Sequence, residues 1–356
     1  MSLRVVLRPP GGEPVVRDVI DGCWGHASGA PDSTLGQGLW AVPGLVDGHA
    51  HFAAVAGADW VTDDVNGAIR RAGEALAAGV LLALDKGWGD LTTIEMMGQI
   101  GLEDRPDIEA AGVINSVEGG YWPNFGREVG PGEMTRVVSA AAAESKGWVK
   151  LVGDWPRRGV GPVANFTEAE LGEAVNVAHG LGARVAIHTM AREVPSMAVR
   201  AGVDSIEHGL FLTEHDVIEL GARGGMWVPT VLRMEAVIRQ LGADSTGGRL
   251  IRDGIDNVAT LLDTAVQAGV FVLAGTDLAV GTDAVAAEAI RLWELGMSPE
   301  LVVGAVSTSG YRATGRADAF EVGAPANAVL YAEDPIADPR LLTHPKHVIR
   351  MGKVHR

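Results

Sequence analysis

Short apolar runs alternate along the chain with longer segments in which apolar residues recur at helical spacing. Eight of the runs have the length and the nearly continuous apolar character of buried parallel strands. These runs lie at 44–46, 80–84, 108–114, 148–152, 184–187, 203–206, 226–231 and 270–274. Eight such strands separated by helices predict an α/β protein whose fold is a (β/α)8 TIM barrel.

The segments between the runs carry signals for helices. Segment 167–181 begins with a Thr that has a Glu three residues later, which is the pattern of a capping box. Segments 63–78 and 255–268 have the same helical period. A doubly wound open sheet is the alternative fold, but it normally has a Gly-rich phosphate loop after its first strand. This chain has a His-Ala-His segment in that place, which favours the barrel.

Both ends of the chain lack helical period. Residues 1–42 form short Val-rich runs broken by Pro and Gly, and residues 318–356 contain further strand-like runs. We therefore predict two domains. A small β-sandwich forms from residues 1–42 together with residues 318–356, and the (β/α)8 barrel spans residues 43–317.

Composition narrows the range of partners. The chain of 356 residues is 47% hydrophobic and 21% charged, which is typical of globular proteins. Its net charge of −16 argues against nucleic acid and anionic membrane surfaces as partners, because both attract basic patches. Cys23 is the single cysteine, so an intramolecular disulfide is impossible. We expect a cytoplasmic protein with a small-molecule substrate and no membrane segment.

Polar side chains capable of binding a metal occur at the predicted strand ends. In a barrel enzyme the carboxyl ends of the strands carry the active site. Residues i and i+2 of a strand share a face, so the first two histidines of this set can bind one ion. Imidazole nitrogens and carboxylate oxygens suit zinc and similar divalent ions. The set consists of His49, His51, Lys150, His188, His208 and Asp277.

Lys150 differs from the rest of the set because it lies inside an apolar run, Trp-Val-Lys-Leu-Val. A buried ammonium without a partner is costly, so this lysine must be paired or lose its charge. A lysine carbamylated by carbon dioxide becomes an anionic oxygen ligand that can bridge two cations. The alternative for Lys150 is an ordinary charged lysine.

Taken together, these motifs resemble the amidohydrolase superfamily, and specifically its binuclear imidazolonepropionase-like and prolidase-like members, including dipeptidases of the Xaa-Pro or Xaa-Arg type. The resemblance extends over essentially the whole chain. It rests on Pro-Gly-Leu-Val-Asp-Gly-His-Ala-His ending at residue 51, on Lys150 and His188, on Ile-Glu-His-Gly at 206–209, on Gly-Thr-Asp ending at residue 277, and on the tail segment 325–335. It implies the same barrel with a small β-sandwich made by both chain ends.

The resemblance also implies a role for each ligand. His49, His51 and Asp277 would hold the more buried of two divalent metal ions, and His188 and His208 would hold the second. Both ions are expected to be Zn. Carbamylated Lys150 would bridge the two ions. A hydroxide shared by the two metals would attack an amide carbonyl. Asp277 would serve as the catalytic proton shuttle to the departing amine.

The chain departs from the family pattern after the third strand. Many relatives have a Gly-Gly-His-Gly type of loop there, and this chain has Ser-Val-Glu-Gly-Gly-Tyr-Trp-Pro-Asn-Phe at 116–125, without a histidine. Any role that relatives give to that histidine is therefore not expected here.

Other polar and aromatic residues follow the predicted strands. Aromatic rings at these positions can line a hydrophobic substrate pocket, and an arginine can bind a substrate carboxylate. Glu207 and Asp154 are candidates to orient the ligands, although strand alternation predicts that Glu207 faces away from the metal. The candidate substrate-binding residues are Trp88, Tyr121, Trp122, Trp155, Arg157, Arg158 and Arg233.

Three functional hypotheses follow. The first is a binuclear metal hydrolase that cleaves the C–N amide bond of a dipeptide, an N-acyl amino acid or a cyclic amide. The second keeps the fold but uses one metal, as in deaminases or imidazolonepropionase-like hydrolases of heterocyclic amides. The third is a non-catalytic member used for assembly, which is disfavoured because every ligand is present. Homo-oligomers are common among relatives, so one is possible here.

Overall fold

The computed structural model describes residues 3–55, 61–278, 284–316 and 320–356. Within these ranges the strands are β1 (Leu3–Leu7), β2 (Val15–Ile20), β3 (Cys23–His26), β4 (Ser33–Leu35), β5 (Trp40–Val42), β6 (Leu45–Ala50), β7 (Val80–Asp85), β8 (Asp107–Ala110), β9 (Asn115–Ser116), β10 (Arg127–Glu128), β11 (Trp148–Val152), β12 (Asp154–Arg157), β13 (Gly161–Ala164), β14 (Arg184–Thr189), β15 (Ser205–His208), β16 (Met226–Val228), β17 (Phe271–Val272), β18 (Ala328–Tyr331), β19 (His347–Arg350) and β20 (Lys353–Val354).

The α-helices of the same ranges mostly follow the strands of the central part of the chain. They are α1 (Val65–Ala77), α2 (Thr92–Gln99), α3 (Met134–Glu144), α4 (Glu168–Gly180), α5 (Val194–Arg200), α6 (Glu214–Ala222), α7 (Val231–Leu241), α8 (Thr246–Gln267), α9 (Ala284–Glu294), α10 (Pro299–Ala305) and α11 (Thr308–Ala313). Short 3-10 helices occur at Leu102–Asp104 and Pro339–Thr343. Among the described helices, none is long and apolar enough to cross a membrane.

Each of the eight predicted runs overlaps a strand, and these strands are β6, β7, β8, β11, β14, β15, β16 and β17. They pair in parallel within two sheets, in the orders β6-β7-β8 and β10-β9-β11-β14-β15-β16-β17. The prediction of an α/β protein with parallel strands is confirmed. Its boundaries were less accurate, since the first strand extends to Ala50 and the seventh ends at Val228.

Backbone hydrogen bonds connect the edges of the two parallel sheets. On one side Lys146 and Ala110 exchange a pair of them, with N···O distances of 2.7 and 3.1 Å. On the other side Gly48 N–H donates to the Ala274 carbonyl at 2.8 Å, and Asp277 N–H donates to the His49 carbonyl, also at 2.8 Å. The second contact brings the segment after β17 directly against the end of β6, where the first two predicted ligands lie.

The two chain ends form two four-stranded sheets, as their strand-like patterns predicted. The orders are β3-β2-β1-β4, all from the N-terminal region, and β20-β19-β18-β5, in which β5 joins C-terminal strands. One hydrophobic cluster contains side chains of both sheets, among them Val5 and Trp24 from the first and Leu330 and Ile349 from the second. The N- and C-terminal regions therefore share a core that is separate from the main one.

The predicted helices form, with one change in length. Helix α4 has the expected capping box between Thr167 and Glu170. Segment 255–268 is only the second part of α8, which begins nine residues earlier at Thr246. Ser245 caps this start by accepting a hydrogen bond from Gly248 N–H. Residues 246–254 of this helix were not predicted because they include glycines, which have poor helix propensity.

Two elements that the sequence pattern did not predict lie next to the strand ends. The first is an antiparallel hairpin of β12 and β13, which directly follows β11. The second is α7, which begins three residues after β16. Both supply side chains to the cavity described below.

Candidate metal centre

His49, His51 and Asp277 converge at the carboxyl end of the parallel strands. The two Nε2 atoms lie 3.1 Å apart, and Asp277 Oδ1 is 3.3 Å from His51 Nε2 and 3.6 Å from His49 Nε2. The three ligand atoms can hold one metal ion. The prediction that His49 and His51 share a strand face and act with Asp277 is thus consistent with the geometry.

Asp47 fixes this convergence through the backbone. Its carboxylate accepts a hydrogen bond from His49 N–H at 3.0 Å, and it accepts two from Thr276, from the N–H at 3.0 Å and from the hydroxyl at 2.7 Å. The next residue, Asp277, has a φ of 38°, a left-handed value that is unfavourable for a residue with a side chain. The protein holds that strained conformation, and it directs the carboxylate toward the histidines.

The outer nitrogen of each histidine has its own partner. His51 Nδ1 lies 2.6 Å from the Gly87 carbonyl oxygen. His49 Nδ1 lies 2.6 Å from Glu207 Oε2. A metal-binding histidine usually donates its other N–H to a carbonyl or carboxylate, which fixes the tautomer and the ring orientation. Both rings therefore present Nε2 as the ligand atom.

The position of Glu207 corrects the expectation that it faces away from the centre. Strand alternation would place neighbours on opposite faces, but His208 has a φ of 63° and so leaves the extended conformation. Glu207 and His208 consequently both face the interior. Burial alone would raise the pKa of Glu207, but the Lys86 ammonium, 3.1 Å from Oε1, and neighbouring cationic groups hold that pKa well below its ordinary value.

His188 and His208 form a second pair beside the first group. His208 Nε2 and His188 Nδ1 lie 2.9 Å apart, and Asp277 Oδ2 is 3.8 Å from His208 Nδ1. The hydroxyl of Thr230 is 2.6 Å from His208 Nδ1. Asp277 thus lies between the two histidine pairs.

Lys150 lines the same cavity as the four histidines. Its side chain is buried, and its Nζ has no hydrogen-bond partner among the described residues. Burial lowers the pKa of Lys150 to about 8. Asp154 follows on β12 and accepts a hydrogen bond from Met190 N–H at 2.8 Å, so it joins two loops rather than orienting a ligand directly.

Burial also sets the protonation of the histidines. It lowers the pKa of His49 to about 4 and that of His208 to about 3, and it lowers the pKa of His188 well below its ordinary value. These three imidazoles are therefore neutral at pH 7. Neutral imidazole is the form that binds metals.

A cavity of about 410 Å³ opens over these groups. Among the predicted substrate-binding residues, Trp88, Tyr121, Trp122, Trp155 and Arg233 line it. Arg157 and Arg158 lie at the exposed end of the β12–β13 hairpin and are not among its lining residues. Helix α7 also lines the cavity, with Met234, Val237, Gln240 and Leu241 in addition to Arg233.

The sequence analysis missed several contributors. Thr230 carried no signal, because nothing in the sequence shows that it faces a histidine at the end of the neighbouring strand. Lys86 did carry one. It directly follows the apolar run 80–84 and Asp85, and the reasoning that singled out Lys150 as a buried lysine applies to it equally.

Comparison with known proteins places the chain in a family. The model of the amidohydrolase family matches residues 40–355. An uncharacterized protein of Mycobacterium tuberculosis is 31% identical over 342 residues, which cover 94% of this chain and 90% of the relative.

Solved structures share the fold. A Xaa-Pro dipeptidase with bound methionine superposes with a TM-score of 0.82 at 20% identity, covering 99% of both chains. A prolidase complexed with N-methylphosphonate-L-proline gives a TM-score of 0.83 at 17% identity, also covering 99% of both. The chain therefore belongs to the amidohydrolase family, and the prediction of a hydrolase that acts on carbon–nitrogen bonds is confirmed.

Proposed function

We propose that this chain is a binuclear metal-dependent hydrolase that cleaves the amide bond of a small molecule, such as a dipeptide, an N-acyl amino acid or a cyclic amide. The observation that carries the proposal is the donor set around one cavity, which combines four histidines, Asp277 and a buried lysine without a hydrogen-bond partner among the described residues. The Xaa-Pro dipeptidase and prolidase of the same fold support a substrate in which the amide lies near a carboxylate.

The donor atoms fit a divalent ion such as zinc. Two ligand atoms about 2.0–2.1 Å from one tetrahedral ion lie about 3.3 Å apart. The separations within the group of His49, His51 and Asp277 are 3.1, 3.3 and 3.6 Å. The distance of 2.9 Å between His188 Nδ1 and His208 Nε2 is somewhat shorter, and it still places two nitrogens where one cation can take both.

We assign His49, His51 and Asp277 to one ion, and His188 and His208 to the other. Lys150, carbamylated by carbon dioxide, would bridge them. A pKa near 8 favours carbamylation of Lys150, because the neutral amine is the form that attacks carbon dioxide. The resulting carbamate would give a function to the buried Nζ, which has no hydrogen-bond partner among the described residues. When bound, the pair of cations lowers the pKa of water and polarises the substrate carbonyl.

The chain's own residues supply the remaining functions. Asp277 lies between both histidine pairs, so its carboxylate can accept a proton on the side of the cavity and pass it to the departing amine. The aromatic side chains that line the cavity exclude water from the scissile bond. Arg233 adds positive charge to the wall formed by α7, where it can bind a substrate carboxylate. Arg158, on the exposed hairpin, has no place in this assignment.

The second candidate function is a mononuclear enzyme, a deaminase or a hydrolase of heterocyclic amides. The observation that favours it is that, among the described residues, His49, His51 and Asp277 form the one group of three ligands whose atoms lie within 4.8 Å of one another. In that case Lys150 stays an unmodified lysine. The number of metals per chain separates the two candidates.

We also propose the finer architecture. The hydrogen bonds at both edges of the parallel sheets support closure into a (β/α)8 barrel spanning residues 43–317. The shared cluster of the two terminal sheets supports a β-sandwich of residues 1–42 and 318–356. The absence of nucleic-acid and membrane partners, the cytoplasmic location and a possible homo-oligomer stay predictions.

The test is hydrolysis by reconstituted protein. Metal-free protein is loaded with zinc in the presence of bicarbonate, and amine release is measured across dipeptides, N-acyl amino acids and cyclic amides. We expect turnover of at least one amide class that depends on added metal and is lost in Asp277→Asn. Release of ammonia from amino-heterocycles, without cleavage of any amide, would instead support the second candidate.

A further inference from the structure

Aromatic rings form a continuous wall along one side of the metal-binding residues. The ring of His51 lies 5.1 Å from that of Trp88, measured between ring centroids, and His188 lies 5.7 Å from Trp155. Between these ends, Phe125 is 4.9 Å from Trp88 and 5.8 Å from Tyr121. Tyr121 is 4.6 Å from Trp155. The wall therefore runs from a ligand of one proposed metal to a ligand of the other.

One of the loops that build this wall departs from the family pattern. Tyr121 comes from the loop after the third strand, which lacks the usual histidine, and Trp155 comes from the β12–β13 hairpin. Aliphatic side chains of α7, including Met234 and Val237, line the same cavity. A slot with an aromatic wall and an aliphatic wall favours a flat apolar group, since aromatic rings gain from edge and offset contacts beyond burial alone.

We propose that the substrate carries an aromatic ring directly beside its scissile amide, on the acyl side or the amine side. This inference rests on the proposed function and names its substrate class. The cavity of about 410 Å³ accommodates a ring together with the amide. The wall beside His51 and His188 places that ring next to the groups that would hold the metals.

Matched amides test the substrate class. N-benzoylglycine is compared with N-acetylglycine, and N-acetylphenylalanine with N-acetylleucine. We expect kcat/KM for at least one aromatic member to exceed that of its partner by about tenfold or more. Trp155→Ala should reduce this ratio, whereas Trp40→Ala, on a terminal sheet beside Arg8, should leave it unchanged.

The ratio separates the possible failures. A preference below about twofold in both pairs, with measurable hydrolysis, would overturn the aromatic substrate class and leave the proposed function standing. A preserved ratio in Trp155→Ala would also overturn it. Absence of any amide hydrolysis, even by metal-loaded wild type, would count against the proposed function itself.

A second set of contacts lies in the protein interior, next to His49 of the proposed metal centre. Lys86 is fully buried, and its ammonium lies 3.1 Å from Glu207 Oε1. Ser205 donates its hydroxyl to the same oxygen at 2.6 Å, and Lys86 donates to the Ser205 hydroxyl at 3.3 Å. The other carboxylate oxygen, Oε2, lies 2.6 Å from His49 Nδ1. One buried carboxylate thus connects Lys86 to a proposed metal ligand.

The segment that carries Lys86 orients both histidines of the first group. The carbonyl of the next residue, Gly87, lies 2.6 Å from His51 Nδ1. Asp85 holds the segment in place by accepting hydrogen bonds from the Gly87 and Phe52 N–H groups, both at 2.8 Å. The turn after β7 therefore controls His49 through Glu207 and His51 through a carbonyl.

The geometry points to Lys86 as a positioning residue for metal binding. Its charge balances Glu207 in an interior where an unpaired carboxylate is costly, and the anionic carboxylate orients the His49 ring. Trp148 supports the ammonium with its ring face, whose centroid is 4.2 Å from Nζ. This role is separate from that of Lys150, which we assign to the ions directly.

Zinc affinity tests this role independently of activity. Competition with a chromophoric chelator gives the affinity of each variant, and urea unfolding of metal-free protein gives its stability. We expect Lys86→Met and Glu207→Gln each to weaken zinc binding by about 10- to 100-fold. Lys346→Met, at an exposed lysine, should bind as wild type. The double variant should lose less than the product of the two single effects, because Lys86 acts through Glu207.

A purely structural role gives a different pattern. Lys86→Met that is less stable but binds zinc as tightly as wild type would overturn the proposal. If Lys86→Met does not fold, Glu207→Gln with unchanged zinc affinity overturns it as well. Failure of the wild type to bind zinc would instead refute the metal site of the proposed function.

Discussion

The two halves of the proposed ligand set are held in different ways. In the half formed by His49, His51 and Asp277, an oxygen atom lies 2.6 Å from the outer nitrogen of each histidine, and Asp47 ties the strand ends together. In the half formed by His188, His208 and Lys150, Thr230 contacts one histidine, while His188 Nε2 and Lys150 Nζ have no hydrogen-bond partner among the described residues.

This contrast shows which half the protein preorganises by itself. The first half is fixed by contacts within the chain, so its geometry does not depend on a bound group. The second half contains buried polar atoms whose partners must come from elsewhere, because an unsatisfied buried polar group costs free energy. A carbamate on Lys150 and a second ion would supply those partners.

The largest expected effect comes from Asp277, which lies between the two halves. Asp277→Asn removes the proton acceptor and a charged ligand, so kcat for amide hydrolysis should fall by about 10³-fold or more. Asp253→Asn, at an exposed carboxylate paired with Arg192, is the control and should keep full activity. Activity of Asp277→Asn within about tenfold of wild type would exclude Asp277 as the proton shuttle.

Replacement of Lys150 should remove the second metal ion while the first ion stays bound. Lys150→Met keeps a side chain of similar length that suits the apolar surroundings, but it cannot be carbamylated. We expect metal content to fall from two ions per chain to one, retained by His49, His51 and Asp277, and activity to fall by about 10²-fold. Elemental analysis after gel filtration gives the stoichiometry. Unchanged metal content and turnover would favour the mononuclear alternative.

A smaller effect on metal affinity is expected when the contact between Thr230 and His208 is removed. Thr230→Val removes the hydroxyl 2.6 Å from His208 Nδ1 while keeping a branched side chain of similar shape. The affinity for the second ion should fall by about tenfold, with the first ion unaffected. Isothermal titration of metal-free protein resolves the two steps. Equal weakening of both steps would show that the halves do not act separately.

The smallest effect concerns the support of α7, which begins next to Thr230. Glu288 accepts hydrogen bonds from the N–H groups of Val231 and Leu232 at 2.6 and 2.9 Å. Burial raises the pKa of Glu288 to about 7, above its ordinary value of 4.5. The folded state therefore binds this proton more tightly, and the resulting stability is fully present below pH 4.5 and declines as the pH rises through 7.

Glu288→Gln should remove this decline. The rise in the pKa of Glu288 corresponds to about 3 kcal/mol of pH-dependent stability at most. Urea unfolding between pH 4.5 and 8 measures it, with Glu128→Gln, at an exposed residue of β10, as the control. A Glu288→Gln protein whose stability follows the pH profile of wild type would show that Glu288 does not titrate in this range.

The convergence of the proposed ligands could be predicted because it depends on local rules. His49, His188 and His208 follow apolar runs, and parallel strands bring such ends together whatever the loops do. Lys150 was recognisable because a charge inside an apolar run needs an explanation. The same rule would have identified Lys86, had it been applied to the residues just beyond a run.

The surroundings of the site depend on features that a strand pattern does not contain. The left-handed backbone at His208 reversed the expected direction of Glu207. The β12–β13 hairpin carried Trp155 into the cavity but left Arg158 at its exposed end, and only the turn geometry decides which of them enters. Helix α7 began within the predicted strand 226–231, because an apolar run of that length fits either element.

Anomalous diffraction at the zinc absorption edge, from crystals grown with zinc and bicarbonate, tests the binuclear centre most directly. The account predicts two peaks, one among His49, His51 and Asp277 and one beside His188 and His208, with density extending from Lys150 Nζ toward both. A single peak beside an unmodified Lys150 would contradict it.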